Sequence, residues 1–177
     1  MPRALILSSI VTGVIAMAGC SPAEPDAPEK AATPVTAITP TVAADIPEAV
    51  RAVVLAARPG MVIIEAELKE RENRRYYDVE GTLNGAGIEL DLLETPRGWE
   101  VVEIQRDIPW SSAPAAVRAA AEGSRSGFTP VRVIESTQTE DGAIIYELFA
   151  DGQPATPVFE VRAANGRTDV LTEAWPH

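Results

Sequence analysis

The chain has 177 residues, a formal net charge of −11, one cysteine and one histidine. The histidine is the last residue, His177, so a Ser-His-Asp or Cys-His arrangement is not available, and neither is a His/Cys metal cluster. A single Cys makes no internal disulfide, and an acidic chain of this kind is unsuited to nucleic acid, whose phosphates are held by Lys and Arg.

In chain order, residues 1–19 are expected to be a secretory signal. Arg3 supplies the basic start, and Ala4 to Met17 is an apolar run. That run is well short of the ~20 residues a membrane span needs. Met17-Ala18-Gly19-Cys20 resembles the lipobox of bacterial lipoproteins. The resemblance implies cleavage before Cys20 and acylation of Cys20, so that the protein sits on a lipid bilayer without crossing it. Ser21 rather than Asp follows, which under the sorting rule for such lipoproteins favours the outer membrane and places the chain on the periplasmic face of the envelope. After Cys20 there are 26 acids and 14 bases, for a charge near −12. Residues 20–44 are rich in Pro, Ala and Thr and lack apolar periodicity, so they are expected to be the lipidated Cys and a disordered tether.

Residues 45–106 form the first expected unit. Asp45 is the expected helix N-cap, Pro47 falls in the first turn, and Val50, Val53, Val54 and Ala57 make an apolar stripe that ends at Pro59-Gly60. The period then becomes two. Ile64, Ala66 and Leu68 alternate with Glu65, Glu67 and Lys69. The charged stretch Arg71 to Arg75 reads as a solvated turn. Tyr77 and Val79 alternate with Tyr76, Asp78 and Glu80, and Asn84-Gly85 is a hairpin signal. Ile88, Leu90 and Leu92 alternate with Glu89 and Asp91. Trp99 to Gln105 is a fourth strand whose phase is obscured by the adjacent Val101 and Val102.

Residues 107–177 repeat the plan. Ser112 is the expected cap of a second, Ala-rich helix carrying Val117 and Ala120. Strands follow around Val133, around Tyr146, from Val158 to Arg162 and from Asp169 to Glu173, with turns at Asp141-Gly142, Asp151 to Pro154 and Asn165-Gly166. Pro47-Glu48-Ala49-Val50-Arg51-Ala52 matches Pro114-Ala115-Ala116-Val117-Arg118-Ala119, which is the mark of an internal repeat. The expected fold is therefore α+β, two tandem helix-plus-antiparallel-sheet units (α-β-β-β-β twice) with the helices packed on one face of the sheet.

The two Pro-x-x-Val-Arg-Ala helix starts, the Tyr-acid strands Tyr77-Asp78 and Tyr146-Glu147, the strand Ile88-Glu89-Leu90-Asp91, and the turns at Gly98 and Gly166 carry a family resemblance. The phrase Ile104 to Pro109 joining the repeats adds to it. On these residues the chain resembles PepSY-like domains, related in fold to beta-lactamase inhibitor proteins. The resemblance implies helix-plus-sheet units with one sheet face open to a partner, in envelope or secreted proteins of which some bind and inhibit enzymes. The disulfides of the secreted inhibitors have no counterpart here.

Glu65, Glu67, Tyr76, Asp78, Glu80, Glu89 and Asp91 share the solvent-facing phase of neighbouring predicted strands and form the candidate binding face. No catalytic residue, cofactor or metal site is assigned. The expected function is a non-catalytic, lipid-anchored envelope protein that engages a protein or peptide through that face, in an inhibitory or regulatory role. The alternatives are a small enzyme using a carboxylate pair and a passive structural lipoprotein.

Overall fold

Period-two alternation dominates the chain after residue 60, and it produces a sheet larger than the repeat predicts. A computed structural model describes residues 37–153 and 155–175. The expected signal segment, Cys20, the expected tether up to residue 36, Pro154, Pro176 and His177 lie outside the described residues. The strands are β1 (Ala37–Val42), β2 (Val62–Arg71), β3 (Arg74–Leu83), β4 (Ala86–Thr95), β5 (Gly98–Asp107), β6 (Arg132–Gln138), β7 (Ile144–Phe149), β8 (Phe159–Ala164) and β9 (Arg167–Val170). The helices are α1 (Glu48–Ala57), between β1 and β2, and α2 (Ala115–Ser124), between β5 and β6.

The expectation of two tandem helix-plus-sheet units is overturned. All nine strands belong to one antiparallel sheet in the order β1 to β9, and the described residues fall in one compact unit. The pairing that joins the halves is β5 with β6, from Glu103 opposite Gln138 to Asp107 opposite Ile134. Ion pairs between Arg106 and Glu135 (2.6 Å) and between Arg132 and Asp107 (2.7 Å) bridge the same seam. Thr139 ties the far end of the seam by donating to the carbonyls of Val101 and Val102.

The expected tether also ends earlier than residue 44. Ala37–Val42 is paired along β2, with Ile38 opposite Lys69 and Val42 opposite Glu65. Pro40 is tolerated because β1 is the edge of the sheet, where a missing N–H can face outward.

Both helices lie on the same face. Val50 and Val54, four residues apart on α1, are fully buried against Val79, Leu90 and Leu92. Val117 and Ala121 take the matching positions on α2, against Val133, Tyr146, Leu148 and Val161. Each such aliphatic side chain contributes about 1.5–3 kcal/mol when fully buried, and Ala121 contributes less than Val54 because it lacks two methyl groups.

Neither helix uses the cap expected for it. Asp45 ends a 3-10 turn (Ala43–Asp45), Ser112 ends another (Trp110–Ser112), and the prolines Pro47 and Pro114 occupy the N-cap positions. The repeated Arg then has a task that an outward position does not suggest. Arg51 donates to the carbonyl of Ala43, and Arg118 to the carbonyls of Ser111 and Ala113. Each guanidinium fastens its helix to the preceding turn.

The hairpins follow local turn chemistry. Glu72-Asn73, Asn84-Gly85 and Asn165-Gly166 each have positive φ at both residues, the geometry that matches the twist of a two-residue hairpin. The predicted turn from Arg71 to Arg75 thus narrows to two residues.

Candidate functional site

The helix-free face is set by strand parity. Leu90 and Leu92 point into the core under α1, so Glu89 and Asp91 point the other way. Register carries that face laterally. Glu67 stands opposite Asp78, Asp78 opposite Asp91, and Asp91 opposite Glu103, in one row across β2 to β5. The next row runs Glu65, Glu80, Glu89, Gln105, Ser136.

The predicted face residues separate into two groups. Glu65 and Glu80 are exposed, and Glu67 is half-buried. Asp78 and Asp91, expected to be solvated, are instead buried, at 8% and 7% exposure. The reason is position: β3 and β4 are interior strands, and side chains of both neighbouring strands close over them. Asp78, Glu89 and Asp91 are brought together, with one carboxylate oxygen from each lying within 4.8 Å of the others. Tyr76 is not in this group. The guanidinium groups of Arg71 and Arg74 lie over its ring, at 5.2 and 5.6 Å from the centroid.

The roles of two important residues escaped the sequence reading. Lys69, read there only as one of the polar positions of a strand, forms an ion pair with Asp78. Glu103 is buried at 3% exposure and accepts a hydrogen bond from Ser136, whose hydroxyl also accepts one from the side-chain amide of Gln138. The signal for Glu103 was present in the adjacent Val101 and Val102. The register shifts there, so that Leu92 faces Val101 while Asp91 faces Glu103, and the bulge turns Glu103 toward the acids.

Crowded burial of like charges perturbs these groups. Burial pushes Glu89 up to about 7, helped by the nearby charges of Asp78 and Glu80. Burial, with Asp78 and Glu103 beside it, holds Asp91 well above the usual carboxylate range. Asp78 is also raised by burial, and the hydrogen bond and charge of Lys69 only partly offset that. Burial disfavours the Lys69 ammonium, but Asp78, Asp91 and Glu89 outweigh it and raise its pKa. Gln105 donates to Oδ2 of Asp91 at 3.3 Å, whereas the buried Oδ1 of Asp91 has no hydrogen-bond partner.

Exposed apolar residues border the acids. Ile38, Val42 and Val62 are 53%, 64% and 63% exposed, and their cross-strand partners Lys69, Glu65 and Thr82 place them on the same face. On the helix side, a cleft of about 400 Å³ lies at the β5–β6 seam, lined by Arg58, Leu83, Ile88, Ile104, Arg106 and Glu135 among others. Its one carboxylate, Glu135, is paired with Arg106 and accepts from the Tyr146 hydroxyl, so it offers no carboxylate pair.

No family model, curated protein or solved structure matches the chain. Among the described residues, no helix is long and apolar enough to cross a membrane.

Proposed function

We propose that this chain is a non-catalytic, lipid-anchored envelope protein that binds a basic protein or peptide segment on the helix-free face of its sheet. One observation carries the reading. Both helices pack on one face, and the other presents acids from four adjacent strands beside the exposed Ile38, Val42 and Val62. Acidic groups next to apolar surface favour a partner that is cationic and partly apolar, and electrostatic attraction speeds the encounter. The sequence Met17 to Cys20 supports an acyl anchor facing the periplasm, with the outer membrane favoured.

The test is fluorescence anisotropy with a Lys/Arg-rich peptide series against the full chain. Glu80→Lys reverses an exposed charge and is expected to weaken binding about tenfold, with a steep dependence on salt. Binding that is unchanged in this variant, or absent across the series, removes the reading. Anchoring is tested separately by Cys20→Ser, which should release the protein from the membrane fraction.

A small carboxylate-dependent enzyme is the second reading. The observation on its side is Glu89, pushed up to about 7 within 4.8 Å of two further carboxylates. Glycoside hydrolysis abolished by Glu89→Gln would replace the binding reading.

A further inference from the structure

We propose that Asp78, Glu89 and Asp91 form a site for a hard divalent cation, of which Ca2+ is the best fit. Geometry is the first argument. Oxygens on opposite sides of a Ca2+ ion are about 4.6–5.2 Å apart, twice its usual bond length to oxygen. The three carboxylates hold their oxygens within 4.8 Å of one another. Asp78 and Asp91 stand directly opposite across β3 and β4, and Glu89 comes from the same face of β4 two residues before Asp91. Three donors therefore converge from two neighbouring rigid strands.

The second argument is independent of the clustering. Asp91 is more than nine-tenths buried, and its Oδ1 has no hydrogen-bond partner. A buried carboxylate oxygen without a donor is unfavourable, and such orphans in folded proteins ask for a missing ion or water. Gln105 holds the other oxygen and so fixes the carboxylate plane, the role that outer-shell partners play around metal ligands. Glu103, directly opposite Asp91 on the other side, adds negative potential.

The donors are all carboxylate oxygens, which select Ca2+, Mg2+ or Mn2+ over metals that prefer imidazole or thiolate. Water would complete the shell. Lys69 is the internal competitor. Its ammonium forms an ion pair with Asp78 and also acts on Asp91 and Glu89 by charge, and its side chain is 32% exposed, so it can move toward solvent when a divalent ion enters.

The test is thermal unfolding and calorimetric titration of the full chain, stripped with chelator and held at pH 8, with CaCl2 and MgCl2 as probes. Ca2+ is expected to raise Tm saturably and more than Mg2+ does. Asp91→Asn should weaken Ca2+ binding about tenfold or more, and Lys69→Ala should tighten it several-fold by removing the competing charge. Glu89→Gln removes a half-buried ligand and carries the same expectation if Asp91→Asn does not fold. No Tm response to either cation, or an equal response in wild type and the ligand variants, overturns the site. The proposal is independent of the peptide reading, since the titration contains no peptide and the anisotropy assay can be run in chelator.

Discussion

Asp78 and Asp91 face each other directly across two interior strands, and both are buried. Like charges directly opposed on a sheet destabilise it. Leu90, the neighbour of Asp91 on β4, points to the other face and is fully buried in the core under α1. The two positions should therefore respond in opposite senses. At pH 8 without divalent ions, Asp91→Asn is expected to stabilise the fold by about 1–2 kcal/mol, because it removes a repelled charge and supplies an amide donor to its acidic neighbours. Leu90→Ala should destabilise it by about 3 kcal/mol. Urea unfolding of both variants checks the pair.

Stability should fall with rising pH across a window most acidic proteins tolerate. Glu89 titrates near 7 in the folded chain against about 4.5 when unfolded. Between those values the folded state holds the extra proton, so the stabilising contribution is complete below about 4.5 and is lost as pH rises through about 7. Asp78 and Asp91, both raised, act in the same direction. Lys69, the cation facing the group, opposes the trend, and Glu80 and Glu103 reinforce it. From Glu89 alone the loss is at most about 3 kcal/mol, less after solvent screening. Chemical unfolding at pH 5 and pH 8 in chelator should show the drop, and Glu89→Gln should flatten it.

The repeated Arg should behave as a stabilising fastener. Removing Arg51 or Arg118 leaves carbonyls of the preceding turn without a donor. Arg51→Ala and Arg118→Ala are each expected to cost about 1 kcal/mol. Because they sit under different helices, the double variant should lose about 2 kcal/mol. A strongly non-additive urea midpoint would show that the two helices are coupled.

Gly81 is needed for close approach rather than for a turn. A Cβ there would run into the backbone carbonyl of Val62 and meet Met61 Cε at 2.7 Å. It lies next to the register shift in β2 between Ile63 and Glu65. A methyl could displace the Met61 tip but not the backbone oxygen. Gly81→Ala is therefore expected to cost about 3 kcal/mol, seen as a lower Tm in calorimetry. Gly87→Ala, where open space surrounds the added atom, is the control.

Much of the architecture was readable from local pattern. The alternation of Glu89 and Asp91 with Leu90 and Leu92 assigned both faces of β4 correctly, because a half-buried strand exposes every second residue to a different medium. Asn84-Gly85 and Asn165-Gly166 marked their hairpins because few residues accept positive φ. β1 was missed because an edge strand leaves five of its six residues exposed, and its Pro and Thr then read as linker. Lys69 was legible as a strand residue but its ion pair was not, because Asp78 lies on the next strand and only register brings the two together.

The sequence by itself determined that two helices follow Pro47 and Pro114, the strand alternation, most of the turns and the chain's acidity. These are properties of neighbours along the backbone, where spacing alone decides which way a side chain points. Only the tertiary structure decided that the halves share one sheet. The β5–β6 pairing closes a loop that contains a whole helix, and no local period records its partner. Only the tertiary structure decided, too, which acids are solvated and which are buried. Glu80 and Asp78 have the same phase on the same strand, but Asp78 is covered by the side chains of Lys69, Asp91 and their neighbours, and that crowding is set by register across strands distant in sequence.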